Sequence, residues 1–98
     1  MVSYADIQNA YNKVYAELRK YIWDFSTVSA IADLEIAVYK TCQDLGTIRI
    51  LYSRLRSMIN DVAREDEELR RRLKFFEDLI ATDQVYVKLN QVEEVIPL

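Results

Sequence analysis

From Ile31 to Ile80, apolar residues recur at alternating steps of three and four. They run Ile31, Leu34, Val38, Thr41, Leu45, Ile48, Tyr52, Leu55, Ile59, Val62, Asp66, Leu69, Leu73, Phe76 and Ile80, interrupted only by Thr41 and Asp66. A heptad phase sustained over this length is the pattern of a coiled-coil or long-bundle helix. The stretch contains no Pro and a single Gly, Gly46. One glycine costs about 1 kcal/mol against alanine in a helix interior, which a long helix tolerates.

A second seam precedes it: Tyr4, Ile7, Tyr11, Val14, Leu18, Tyr21 and Phe25, widened by Tyr15 and Ile22. Ser3 and Asp6 have the spacing of a capping box, so this helix is expected over about 4–25. The stretch Asp24 to Ser29 (DFSTVS) is the first turn, because Ser and Thr side chains compete with the backbone for hydrogen bonds. Ser26, Thr27 and Ser29 are all candidate caps for the next helix.

The second helix is expected over about 28–81. Asn60-Asp61 offers a break near 57–65, but the phase passes through it unshifted. Three acid-first pairs at i,i+4 spacing, Asp66–Arg70, Glu67–Arg71 and Glu68–Arg72, support helix beyond it. Two architectures therefore satisfy the pattern within one all-α domain spanning 1–98. One is an antiparallel hairpin with a long second helix; the other is a three-helix bundle. The C-terminal segment 84–98 reads either way. Val85, Val87 and Leu89 alternate like a strand, whereas Val85, Leu89, Val92 and Ile96 space like a short helix. A lone strand has no partner elsewhere in such a chain, which favours helix.

The long-helix reading has a consequence for association. A first helix about 30 Å long cannot cover a second about 80 Å long. Leu69, Leu73, Phe76 and Ile80 are then left for a second copy to bury, at roughly 1.5–3 kcal/mol per side chain. Independently, Ala32, Ile36, Tyr39, Gly46, Ile50, Ser53 and Ser57 form a second face away from the seam, and a helix apolar on two sides is buried on two sides. Ile36, Tyr39, Ile50, Leu69, Leu73, Phe76, Ile80 and Trp23 are the expected interface residues, Trp23 as an aromatic anchor.

Composition narrows the chemistry. There is no histidine, one cysteine, one glycine and one proline, and the formal net charge is −3. Without histidine the commonest general base and metal ligand is missing. Cys42 reads as a small core hydrophobe, since nothing nearby would activate a thiol. No phosphate loop, metal-ligand spacing or nucleophile–base pair occurs, so neither enzyme activity nor a cofactor is implied. The one basic cluster, Arg64, Arg70, Arg71, Arg72 and Lys74, invites nucleic-acid contact, but Glu65 to Glu68 lie within a turn of it. Asp66 at a seam position either sets register or marks a break. The N-terminus has no basic-then-apolar leader pattern and no run is long enough to span a membrane, which points to a cytoplasmic protein.

Together these features point to a non-enzymatic, self-associating helical assembly or adaptor protein, of the build found among phage- or virus-type structural and accessory proteins. A nucleic-acid-associated regulator using the basic cluster is the alternative.

Overall fold

The computed structural model describes residues 2–40, 44–82, 84–89 and 92–97. The fold is an all-α bundle with a small sheet at the chain ends. Its helices are α1 (Tyr4–Leu18), α2 (Phe25–Tyr39), α3 (Leu45–Met58), the short α4 (Asn60–Glu65) and α5 (Glu67–Ile80). The strands are β1 (Val2–Ser3), β2 (Gln84–Leu89) and β3 (Val92–Pro97).

Side-chain caps divide the chain. The first four backbone N–H groups of a helix lack intrahelical partners, and an N-cap oxygen satisfies one of them. Ser3 and Asp6 form the expected capping box, with Ser3 Oγ accepting from the Asp6 N–H at 3.1 Å and Asp6 accepting from the Ser3 N–H at 3.0 Å. Asp24 accepts from the Thr27 N–H at 2.8 Å, Asp44 from Thr47 at 2.7 Å, and Asp66 from Leu69 at 2.9 Å. The cap of α2 is thus Asp24, upstream of the Ser and Thr candidates. Gly46 serves the Asp44 cap: a Cβ there would lie 3.0 Å from Asp44 Oδ1, crowding the carboxylate that receives the Thr47 N–H.

The expected helix over 28–81 is therefore not continuous. α2 ends at Tyr39 and α3 starts at Leu45, and Asp66 separates α4 from α5. Ile59, inside the window expected for a break, is only a kink: its N–H still reaches Leu55 O at 3.1 Å and its carbonyl accepts from Ala63 at 2.9 Å. The phase slips by one at this kink, since Ala63 rather than Val62 is fully buried. Asp66 marks a helix end; it is not a buried register element. Thr41, Cys42 and Asp83, including the reading of Cys42 as a core residue, lie outside the described residues.

These breaks yield four principal helices of nearly equal length, each about 21–22 Å. They close into an antiparallel ring. Tyr11 of α1 donates to Ile31 O of α2 at 3.3 Å, and Arg54 of α3 meets Asp33 of α2 at 3.1 Å. Tyr52 of α3 donates to Leu73 O of α5 at 3.2 Å, and Arg72 of α5 donates to Lys13 O of α1 at 2.8 Å. At the centre, the buried ring of Phe76 lies 5.4 Å from that of Tyr52 and 6.3 Å from that of Tyr11. Near one end of the α1–α5 seam, buried Glu17 holds Lys20 at 2.9 Å and Arg72 at 3.6 Å.

The C-terminal segment is not the helix favoured from its sequence. β2 runs parallel to β1 (Val2 opposite Val85, Ser3 opposite Tyr86) and antiparallel to β3, from Gln84 opposite Pro97 to Leu89 opposite Val92. The partner strands are β3, from within the same tail, and two residues at the other end of the chain. They meet because α1 and α5 are antiparallel, so the start of α1 and the end of α5 share one end of the bundle.

Candidate interaction surface

The outer faces of the bundle differ sharply in chemistry. α5 turns ion pairs outward. Lys74 pairs with Asp78 at 3.0 Å, Arg72 with Glu68 at 2.8 Å, and Arg71 with the same Glu68. Arg64 pairs with Asp61 at 3.6 Å, and Arg70 donates to Arg64 O at 3.0 Å and Ala63 O at 3.3 Å. All five basic residues of the expected nucleic-acid cluster are thus engaged with acids or backbone carbonyls. The Glu68 carboxyl is held below its ordinary value by its bonds to Arg71 and Arg72, as expected of a mutually neutralised face.

α2 is built differently. Its inner face, including Ala30, Ile31, Leu34, Ala37 and Val38, is buried. Its outer face carries Phe25, Val28, Ala32, Ile36 and Tyr39, all exposed and spaced three, four, four and three residues apart. Phe25 is 87% exposed and Ile36 61%. The stripe holds no charged residue; Glu35 and Asp33 flank it. A Phe or Ile left in water forfeits most of the roughly 1.5–3 kcal/mol that burial provides. Single surface hydrophobes are ordinary; here five uncharged residues form a continuous row along one helix. Ile22, fully exposed in the α1–α2 turn, lies in sequence just before this helix. Ile50, 71% exposed on α3 between Gly46 and Ser53 in helical spacing, adds apolar surface on the neighbouring helix.

The expected interface residues therefore separate into two groups. Ile36 and Ile50 face solvent; Tyr39 is partly exposed, but its ring packs edge-on against Tyr11 and its hydroxyl donates to Asn12 of α1. Leu69, Leu73, Phe76 and Ile80 are each at most 2% exposed, covered by α1 and α3 of the same chain. The argument that a second copy must cover them fails, because it took helix lengths of 30 and 80 Å and the actual helices match. Trp23 is only half-buried and its Nε1 donates to Leu18 O at 2.9 Å, so the indole fastens the α1–α2 turn. Phe25 and Val28 were missed as surface residues. Phe25 continued the three-four spacing of the first helix, although Asp24 caps a new one. The detectable signal was the low amphipathicity of the α2 segment, which is apolar on nearly every side.

A cleft of about 350 Å³ separates α1 from α2, lined by Tyr15, Arg19, Trp23, Val28, Ala32 and Glu35 among others. Beside its mouth, Tyr21 Oη donates to Asp66 Oδ2 at 2.6 Å. That bond is the main cause of both the raised Tyr21 phenol and the lowered Asp66 carboxyl. It ties the α1–α2 turn to the start of α5. Larger clefts lie between α3 and α5, about 650 Å³, and between α1 and α5, about 510 Å³. In the first, Arg49 donates to the carbonyls of Ile80 and Thr82, closing the end of α5.

Among the described residues, no three His, Cys, Asp or Glu side chains converge to hold a metal ion, and no helix is long and apolar enough to cross a membrane. No protein-family model, curated protein or solved structure matches this chain.

Proposed function

We propose that this protein is a non-enzymatic helical assembly module that works by self-association through the outer face of α2. The observation that carries the reading is the uncharged stripe of Phe25, Val28, Ala32, Ile36 and Tyr39. It stands on a bundle whose other polar surface is laced with ion pairs, and whose own core is complete. Phe25, Val28 and Ile36 are each at least half exposed, so the monomer leaves much of the stripe in water. Its apolar character is then best accounted for by a surface that covers it. Self-association fits a cytoplasmic assembly or adaptor role, and the small size fits an accessory protein of the phage or virus type. The pairing of the basic cluster with its own acids weighs against nucleic acid as the partner, since phosphate contact would require breaking those pairs.

Light scattering coupled to size exclusion, over a range of loading concentrations, tests the reading. The chain should exceed its monomer mass of 11.6 kDa as concentration rises. Ile36→Glu, at an exposed position, should return it to that mass with its helical circular dichroism intact. A wild-type mass of 11.6 kDa at every concentration up to the solubility limit overturns self-association. A retarded nucleic-acid band at low salt, abolished by Arg71→Gln and Lys74→Gln, would establish the alternative.

A further inference from the structure

The side of α3 that faces α5 leaves a gap that the core does not fill. Arg49, Ser53, Arg56 and Ser57 share that side with Tyr52, as their helical spacing requires. The serines are short where larger side chains would close onto Glu77 and Ile80 of α5. The cleft between them holds about 650 Å³, within the roughly 300–1,000 Å³ of small-molecule sites. Its floor is apolar, formed by the buried Tyr52 ring and the buried Ile80.

Charge decides what such a cleft takes. On a chain of net charge −3, two arginines line this cleft against one carboxylate. Arg49 is held in place by its bonds to the carbonyls at the end of α5. Arg56 donates from Nη1 to Asn60 Oδ1 at 3.0 Å, within its own stretch of helix. That bond uses one end of a fork of N–H donors. Neither arginine has an ion pair among the described residues. Arg54, on the side of α3 that meets α2, does have one, with Asp33 at 3.1 Å. The carboxylate of the cleft, Glu77, accepts from the Tyr52 hydroxyl at 3.2 Å. Burial and then Glu77 raise the Tyr52 phenol, and Arg56 opposes them, so the Arg56 charge is felt at the floor.

We infer that the α3–α5 cleft binds a small organic anion, a carboxylate or phosphate on an apolar body, with Arg56 meeting the anionic group. A guanidinium fork matches the oxygens of either anion. The Ser53 and Ser57 hydroxyls stand beside Arg56 as further donors, Arg49 adds its charge, and Tyr52 and Ile80 receive the body. Low-dielectric walls strengthen the attraction of a cleft for the opposite charge. The site uses no residue of the α2 stripe, so it stands or falls independently of self-association.

NMR titration of the full chain, followed through its amide chemical shifts, tests the site. The probes are naphthoate, naphthyl phosphate, neutral naphthamide and inorganic phosphate. Both naphthyl anions should give saturable shifts centred on Ser53, Arg56 and Ser57. Naphthamide, which lacks the charge, and inorganic phosphate, which lacks the body, should each bind at least about tenfold more weakly, the scale of one charge-assisted hydrogen bond. Tighter binding of naphthoate assigns a carboxylate ligand and tighter binding of naphthyl phosphate a phosphoryl one; both support the site. Arg56→Gln should weaken the naphthyl anions by about the same factor and leave naphthamide unchanged. Ser57→Glu, at an exposed position where the fold is retained, sets a second carboxylate in the cleft and should also weaken them. Four results would overturn the inference: no saturable shift with either anion, equal binding of naphthamide or of inorganic phosphate, shifts centred instead on the α1–α5 cleft around Lys13 and Lys74, or anion binding that survives both substitutions.

Discussion

Replacing Phe76 with leucine separates a core role from an interface role. The ring is 1% exposed and packs against the rings of Tyr11 and Tyr52. Phe76→Leu removes about 35 Å² of buried apolar surface, or ~1 kcal/mol at 25 cal/mol per Å². The void left by incomplete relaxation adds roughly 0.5 kcal/mol. Loss of two aromatic contacts adds about 1 kcal/mol in total, taking the low end for each. The sum, about 2–3 kcal/mol, corresponds to a fall in Tm of roughly 10–20 °C for a domain of this size. Urea denaturation followed by circular dichroism, at a protein concentration where the chain is monomeric, measures it. The midpoint should drop with the m-value unchanged. Ile36→Ala, on the outer face of α2, should change monomer stability by no more than about 0.5 kcal/mol under the same conditions. If Phe76→Leu leaves the monomer's midpoint unchanged but abolishes association, Phe76 belongs to an interface between chains and not to the core of this bundle.

Three further outcomes follow from the contacts between helices. Asp66→Ala should cost about 1 kcal/mol through loss of the α5 cap, while Asp66→Asn, which can still accept from the Leu69 N–H, should cost less. The Asp66 carboxyl is held below its ordinary value of 3.8, chiefly by the Tyr21 hydroxyl and then by the Leu69 N–H. Its contribution is therefore complete above that value and lost as pH falls through the lowered one, so Asp66→Asn should flatten the acid limb of a stability–pH curve between about pH 5 and 2. Burial, followed by the nearby carboxylates of Glu35 and Glu77 respectively, raises the Tyr11 and Tyr52 phenols above their ordinary value of 10.0. Folding thus favours their neutral forms, a contribution complete below 10 and lost as pH rises through the raised values. In an ultraviolet titration at 295 nm these two should ionise only with alkaline unfolding, and their ionisation in the folded chain at pH 10 would contradict the burial described. Arg49→Ala removes the bonds to the Ile80 and Thr82 carbonyls and should cost about 1.5–3 kcal/mol, with faster amide exchange in the last turn of α5; unchanged exchange would mean that the end of α5 is held by other contacts.

The local pattern of this chain determined its helical character, the Ser3–Asp6 capping box and most of its core. Between Ile7 and Ile80 most residues at three-four spacing are buried, because helical geometry places them on one face; Tyr21, Phe25, Val62 and Asp66, at or beside helix breaks, are not. It also determined that Ile36, Tyr39 and Ile50 lie off that face. What it left undecided was where the helices stop. A phase that runs on through Asp44 and Asp66 reads as one rod, yet each carboxylate captures a backbone N–H three residues on and starts a new helix. Only the tertiary structure selected those breaks, because they make four principal helices of nearly equal length that can cover one another. That choice moved Leu69, Leu73, Phe76 and Ile80 from a presumed contact between chains into the chain's own core. The sheet was beyond local reading for a related reason: one strand of it is two residues at the far end of the chain, and only the antiparallel packing of α1 and α5 brings the ends together. The same closure leaves the outer face of α2 uncovered, so the surface proposed to do this protein's work emerges only when the rest of the apolar pattern is accounted for.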